Sequence, residues 1–244
     1  MTLPTWRKEG VEPDMKSELI VALDVSQTTE ALAVIDTLPA EVSWYKVGLE
    51  LFCAEGPAII QSIRSRKKSV FLDLKLHDIP RTVERAVKAA AQHGVEMLTI
   101  HSCGGRTMLR AAVDAARSSG AKPPKLIAVT ALTSLDQKDL NDLGISKTPA
   151  RQVLALADMA LSCGVDGLVS SPQEVAVLRG RFGPRPILVT PGIRLPGEDV
   201  GDQKRVATPA AAVKAGSSFL VVGRPILESA DSAGVARAIL KELG

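Results

Sequence analysis

The stretch SVFLDLKLHDIPRTVERAVKAAAQHG, residues 69–94, holds one complete structural unit and decides how the rest of the chain is read. Its first part alternates. Val70, Leu72 and Leu74 point one way, while Phe71, Asp73 and Lys75 point the other, because side chains alternate across a strand. After Pro80, which suits the first turn of a helix, the residues become Ala-, Val-, Glu- and Arg-rich, and the segment stops at Gly94, a usual helix end. A strand followed directly by a helix is half of a parallel βαβ repeat. Three charges, Asp73, Lys75 and Asp78, stand in or just beyond this otherwise apolar strand. Charges placed there are costly unless they are paired or used.

The same unit recurs in both directions. Candidate strands are ELIVALD (18–24), SWYKVG (43–48), SVFLDLK (69–75), EMLTIH (96–101), KLIAVT (125–130), DGLVS (166–170), PILVT (186–190) and SFLVVG (217–223). Helical segments such as TTEALAVIDTL, RTVERAVKAAAQHG, MLRAAVDAARSSG and TPARQVLALADMALSCG lie between them. Gly94, Gly120, Gly164 and Gly216 mark their expected stops. Eight βα units without a change of composition, in a chain of 244 residues, predict an α/β fold, a single (β/α)8 TIM barrel. A doubly wound open sheet is the competing architecture, weakened because no G-x-G-x-x-G follows the first strand. The barrel domain is expected over 17–244, and residues 1–16 read as an N-terminal extension without an assignable role. The longest aperiodic stretches, 133–149 and 192–207, each follow a strand, at the barrel end that carries active sites.

Composition narrows the function. The net charge is +3, with 30 basic against 27 acidic residues, and aromatics are 3%. That argues against a nucleic-acid surface of basic stripes and stacking rings. Cys53, Cys103 and Cys163 form no C-x-x-C pair, so neither a disulfide framework nor a zinc site is expected, and a reducing compartment fits better. The opening residues lack the apolar core of a secretory signal, and no apolar run is long enough to span a bilayer. The expectation is a cytoplasmic protein without membrane or nucleic-acid partners.

The charged strand has neighbours of the same kind. Asp24 ends the first strand, Lys46 the second and His101 the fourth. In a barrel, ionisable groups at successive strand mouths converge. A structural salt-bridge network is the plain alternative for any one of them. It is a poorer explanation for four charged groups at three adjacent strand ends. His101 reads as a hydrogen-bonded support rather than a catalyst, and His77 likewise.

The string D-x-K-x-x-D-I-P-x-T, present as Asp73 to Thr82, closely resembles the signature of the orotidine 5′-phosphate decarboxylase family. The resemblance runs from ALDV (22–25) to VVGRPI (221–226) and includes LTS at 132–134, TPGIR at 190–194 and DQKRVATP at 202–209. D-x-K-x-x-D alone is shared with related sugar-phosphate barrels, whereas its continuation into DIPRT is much more specific.

The resemblance implies an enzyme that removes CO2 from C6 of orotidine 5′-phosphate to give UMP. The electron pair left at C6 lies in the ring plane, where no π system receives it, so a preorganised cation beside it is what helps. An ammonium also carries the proton C6 needs, and Lys75 is the candidate. Asp73 and Asp78 would keep it charged and aimed, and Lys46 would complete an alternating chain of charges. In the family the second aspartate serves the neighbouring subunit. Asp78, Ile79 and Thr82 would thus act in trans, in a homodimer. Asp24 and Lys46 match residues that contact the ribose hydroxyls and the charge network. Thr133 and Ser134 match a turn that reads the pyrimidine edge. Gly223 and Arg224, with Pro225, would hold the phosphate at the turn after the last strand. The glycine-rich loop with Gly192, Arg194, Gly197, Gly201 and Gln203 looks like a lid, and Arg194 and Gln203 would reach the phosphate on closure. No metal or organic cofactor is implied. The alternatives are a metal-dependent lyase or aldolase on a sugar phosphate, with carboxylates holding Mg2+ as in the related 3-hexulose-6-phosphate synthase group, and a barrel that binds a nucleotide without catalysis.

Overall fold

The computed structural model describes residues 16–195 and 206–244; residues 1–15, most of the N-terminal extension, lie outside the described residues. Eight parallel strands close into a barrel in sequence order. They are β1 (Glu18–Leu23), β2 (Trp44–Val47), β3 (Ser69–Leu76), β4 (Met97–His101), β5 (Lys125–Val129), β6 (Gly167–Val169), β7 (Ile187–Thr190) and β8 (Phe219–Val222). β8 returns to β1 with Glu18 beside Phe219 and Val21 beside Val222, so the sheet has no open edge. The expected eight-unit barrel is therefore the fold, and the open sheet is excluded.

Around it lie α1 (Thr28–Thr37), α2 (Leu49–Glu55), α3 (Ala58–Ser65), α4 (Pro80–Gln92), α5 (Gly105–Arg117), α6 (Gln137–Asp142), α7 (Pro149–Ser162), α8 (Pro172–Phe182), α9 (Pro209–Ala215), α10 (Arg224–Leu227) and α11 (Ser232–Leu243). Four of the helices after strands, α4, α7, α8 and α9, start on a proline, whose fixed φ fits the first turn and whose missing N–H loses nothing there. Thr148 and Thr208 cap two of them through side-chain oxygens. The stretch 133–149 is not aperiodic throughout, because α6 lies inside it. That helix is too short to show a period. Its signal is the reciprocal cap between Asp136 and Asp139.

Strand alternation splits the core. Ile20, Ala22, Phe71, Met97, Ile127, Val189 and Val221 point inward and fill the barrel. Val21, Leu23, Val70, Leu72, Leu98 and Ile100 point outward and pack beneath the helices with Val83, Val87, Leu109 and Ala112. Burying each large side chain contributes about 1.5–3 kcal/mol. The lower end of the barrel is closed by Trp44 set edge-on to Phe219 at 5.2 Å. Trp44 also donates to Glu18 Oε2 at 3.1 Å. Among the described residues the upper end has no such plug. There the inward positions pass from apolar to charged.

Candidate active site

Four charged side chains meet at the upper mouth. Asp24 comes just after β1, Lys46 from β2, and Asp73 and Lys75 from β3. Each occupies the inward position one or two alternations above an interior apolar residue: Ala22 below Asp24, Trp44 below Lys46, Phe71 below Asp73. Lys46 Nζ lies 2.8 Å from Asp24 Oδ1 and 3.9 Å from Asp73 Oδ2. Lys75 Nζ lies 2.8 Å from the same Asp73 Oδ2. The order is therefore carboxylate, ammonium, carboxylate, ammonium. Burial differs along it: the side chains of Lys46 and Asp73 are each 12% exposed, against 33% for Lys75 and 53% for Asp24. The two inner members sit in the wall, and Lys75 reaches the opening.

The backbone at Lys75 explains how it does so. The register of β3 against β4 slips: Leu72 pairs with Leu98, but Leu76 pairs with Ile100, so β3 advances four residues where β4 advances two. Lys75 takes up the excess with φ of 50°, a left-handed conformation outside the usual range for a side-chain-bearing residue. That costs about 1–2 kcal/mol. Its N–H donates to Thr99 Oγ1 at 2.8 Å, and the Thr99 hydroxyl donates to Asp73 Oδ1 at 3.0 Å. Sequence reading missed Thr99. The alternation Met97, Thr99, His101 on β4 puts it on the same inward face as Asp73, which was the available signal.

These groups border a cavity of about 250 Å³. Its inner surface is apolar, from Ala22, Phe71, Val129, Val169, Val189 and Val221. The charge chain forms one side, and Thr133, Arg194, Gly223 and Arg224 also line it. An apolar pocket with a few converging polar groups is the usual form of a small-molecule site. Gly223 leaves little room for a side chain: a Cβ there would stand 3.3 Å from Asp24 Oδ2 and 3.4 Å from the Ala22 Cβ, so the carboxylate would have to give by a few tenths of an ångström. A Cβ at Gly48 would meet Lys46 Nζ at 2.8 Å. The Asp24–Lys46 pair is thus fitted between two bare backbone positions.

Other expected site residues lie elsewhere. Ser134 follows Thr133 but is not part of the cavity wall; of the pair, only Thr133 is. Asp78, Ile79 and Thr82 do not line their own chain's cavity either. Asp78 Oδ1 accepts the Ile79 N–H at 2.6 Å, and no ion pair joins it to Lys75, so within one chain only Asp73 of the two motif aspartates holds the lysine. Ile79 is 68% exposed at the start of α4. Gln203, Gly197 and Gly201 lie outside the described residues. The base of their loop is tied, because Ile193 bridges Ala207 and Arg194 N–H donates to the Ala207 carbonyl at 3.0 Å. His101 supports its turn as expected: its Nδ1 accepts the Cys103 N–H at 3.2 Å, and its ring stacks on His77 at 5.3 Å. Burial first, then His77 and Lys75, push its pKa below the ordinary histidine value.

The sequence and the fold both have relatives. A family model described as Orotidine 5'-phosphate decarboxylase / HUMPS family matches residues 17–239. The orotidine 5'-phosphate decarboxylase of Haemophilus influenzae (strain 86-028NP) is 47% identical, over 94% of this chain and all of the relative. That of Moorella thermoacetica is 44% identical, over 99% of this chain and 98% of the relative. The crystal structure of orotidine 5'-phosphate decarboxylase from Lactobacillus acidophilus superposes with a TM-score of 0.84 at 39% identity, covering 93% of this chain and 99% of that one.

Proposed function

The chain belongs to the orotidine 5'-phosphate decarboxylase / HUMPS family, and from that premise we propose that it converts orotidine 5′-phosphate to UMP and CO2 in pyrimidine biosynthesis, as a cytoplasmic carbon–carbon lyase that uses no metal. The observation that carries this reading is the alternating chain Asp24–Lys46–Asp73–Lys75 beside an apolar-floored cavity. The C6–carboxylate bond breaks, its electron pair stays on C6, and CO2 leaves neutral. The Lys75 ammonium stabilises that pair and then delivers a proton to it, and the amine is reprotonated from solvent. Asp73 holds Lys75 in place. It also crowds the substrate carboxylate, a repulsion relieved as CO2 departs.

The rest of the ligand is apportioned by resemblance. Arg224, Gly223 and Arg194, with Gln203, would take the phosphate; Asp24 and Lys46 the ribose hydroxyls; Thr133 and Ser134 the pyrimidine edge. The protein would be a homodimer in which Asp78, Ile79 and Thr82 complete the neighbour's site. Two facts favour this. Asp78 does not reach its own Lys75, and Ile79 exposes a large apolar side chain beside it.

A metal-dependent lyase needs carboxylates open to a cation. Here Asp73 Oδ2 carries Lys75 at 2.8 Å and Lys46 at 3.9 Å, and Asp24 Oδ1 carries Lys46 at 2.8 Å, which favours the decarboxylase. The test is the ultraviolet spectrum of purified protein with orotidine 5′-phosphate, with and without excess EDTA. Conversion to UMP at the same rate in both is expected. No conversion, or loss of it with EDTA, overturns the reading. Mixing Lys75→Ala and Asp78→Ala proteins should restore one intact site per exchanged dimer; silence after exchange would remove the shared site.

A further inference from the structure

We infer that Thr99 is a positioning residue for this chemistry, its hydroxyl fixing the Asp73 carboxylate and the Lys75 backbone in a single arrangement. The inference rests on the decarboxylase reading.

Thr99 is fully buried and does not line the cavity, so it acts through other groups. Its hydroxyl has one proton and is held by two neighbours. The Lys75 N–H can only donate, so Thr99 Oγ1 accepts there, at 2.8 Å. That leaves the hydroxyl proton for Asp73 Oδ1, at 3.0 Å. The direction of both bonds is therefore determined. The consequence for Asp73 is specific. An aspartate's second torsion is broad and holds no preferred angle by itself. Thr99 pins Oδ1, which leaves Oδ2 facing the ammonium groups of Lys75 and Lys46. The consequence for Lys75 is equally specific. Its left-handed backbone lies inside a slipped register, and Thr99 supplies an acceptor for its N–H. The branched Cβ of threonine restricts the hydroxyl's own rotation. One side chain on β4 thus aligns both functional residues of β3.

A purely structural role would make Thr99 matter for stability alone. The distinguishing measurement is steady-state turnover of orotidine 5′-phosphate by folded Thr99→Val, Thr99→Cys and Thr99→Ser proteins, with folding checked by circular dichroism. Thr99→Val keeps the shape and removes the hydroxyl. Its kcat should fall about ten- to a hundredfold, with KM within about threefold of wild type, because the lost interaction acts on the reacting groups rather than on ligand binding. Thr99→Cys, with a weak donor and acceptor, should also be slow. Thr99→Ser should recover most of the rate. Wild-type kcat in folded Thr99→Val, or a Thr99→Ser as slow as Thr99→Val, overturns the assignment. If Thr99→Val does not fold, Thr99→Cys against Thr99→Ser decides in the same way; if neither Val nor Cys folds, a kcat for Thr99→Ser below about a tenth of wild type overturns it. If wild-type protein itself releases no UMP, the decarboxylase reading fails instead, so the two failures are separable.

Discussion

Lys75 offers a test in which the usual ranking of two small residues should invert. Replacing it by alanine or by glycine removes the same ammonium and the same 2.8 Å contact with Asp73, so those losses cancel between the two variants. What remains is the backbone at φ of 50°. Alanine keeps the left-handed strain, about 1–2 kcal/mol. Glycine relieves it but gains freedom in the unfolded chain, which costs about 0.5–1 kcal/mol relative to alanine. The balance favours Lys75→Gly by about 0.5–1 kcal/mol, where an ordinary strand position would favour alanine. Urea denaturation of both proteins, fitted with a common m-value of about 2–3 kcal/mol/M, should show glycine's midpoint higher by about 0.2–0.5 M. Neither variant should turn over orotidine 5′-phosphate. Equal midpoints, or a higher one for Lys75→Ala, would show that Lys75 is unstrained and would remove the account of how β3 carries its lysine to the opening.

Two further perturbations test features around the site. Tyr45 is fully buried, and its hydroxyl has no hydrogen-bond partner among the described residues. Burial pushes its pKa well above the ordinary tyrosine value. Tyr45→Phe should therefore be as stable as wild type or up to about 1 kcal/mol more stable, and a clear loss on denaturation would mean the hydroxyl is satisfied. His101 accepts a backbone N–H through Nδ1 and has a native pKa below its ordinary 6.5. The unfolded chain then binds the proton more readily, so this group's penalty is absent well above 6.5 and grows as pH falls through 6.5 toward the lowered native value. His101→Asn, which keeps an acceptor but does not titrate, should lose less stability than wild type between about pH 8 and pH 5.5; parallel pH profiles would refute the assignment.

The barrel was legible because its units are regular. Each strand read from alternation or apolar runs lies within two residues of an observed strand, and the prolines and glycines mark most helix ends. Asp24, Lys46 and Asp73 were legible for the same reason: a period of two, counted up from Ala22, Trp44 and Phe71, puts each at the mouth. Three things were not. α6 is shorter than two helical turns, so only its acidic cap shows. The conformation of Lys75 carries no glycine to announce it, because the strain is held by a neighbouring strand through Thr99. Thr99 itself is an ordinary strand former, and its residue type gives no sign that its hydroxyl is shared between Asp73 and Lys75. The placement of Asp78 was half legible: the string puts it just past β3 but does not show that its carboxylate turns to the Ile79 N–H instead of its own chain's cavity.

The charges lining the cavity bear on the mechanism as a set. Among the described residues four cations line it, Lys46, Lys75, Arg194 and Arg224, against the two carboxylates Asp24 and Asp73, an excess of two positive charges, which Asp78 of the partner subunit would reduce to one on the proposed reading. A phosphate dianion already outweighs that remaining charge. UMP brings the phosphate alone, whereas orotidine 5′-phosphate brings the phosphate and a carboxylate. The additional negative charge is the one that would sit beside Asp73, whose Oδ2 is already shared by two ammonium groups. On the proposed reading, then, the site is nearer to charge balance once the carboxylate has gone as neutral CO2 than it is before. As the carboxylate's charge leaves, charge develops on C6, where Lys75 stands, so the same geometry that disfavours the ground state stabilises the transition state. That division of labour needs Asp73 held in one orientation, which is why a buried hydroxyl on the next strand belongs to the mechanism.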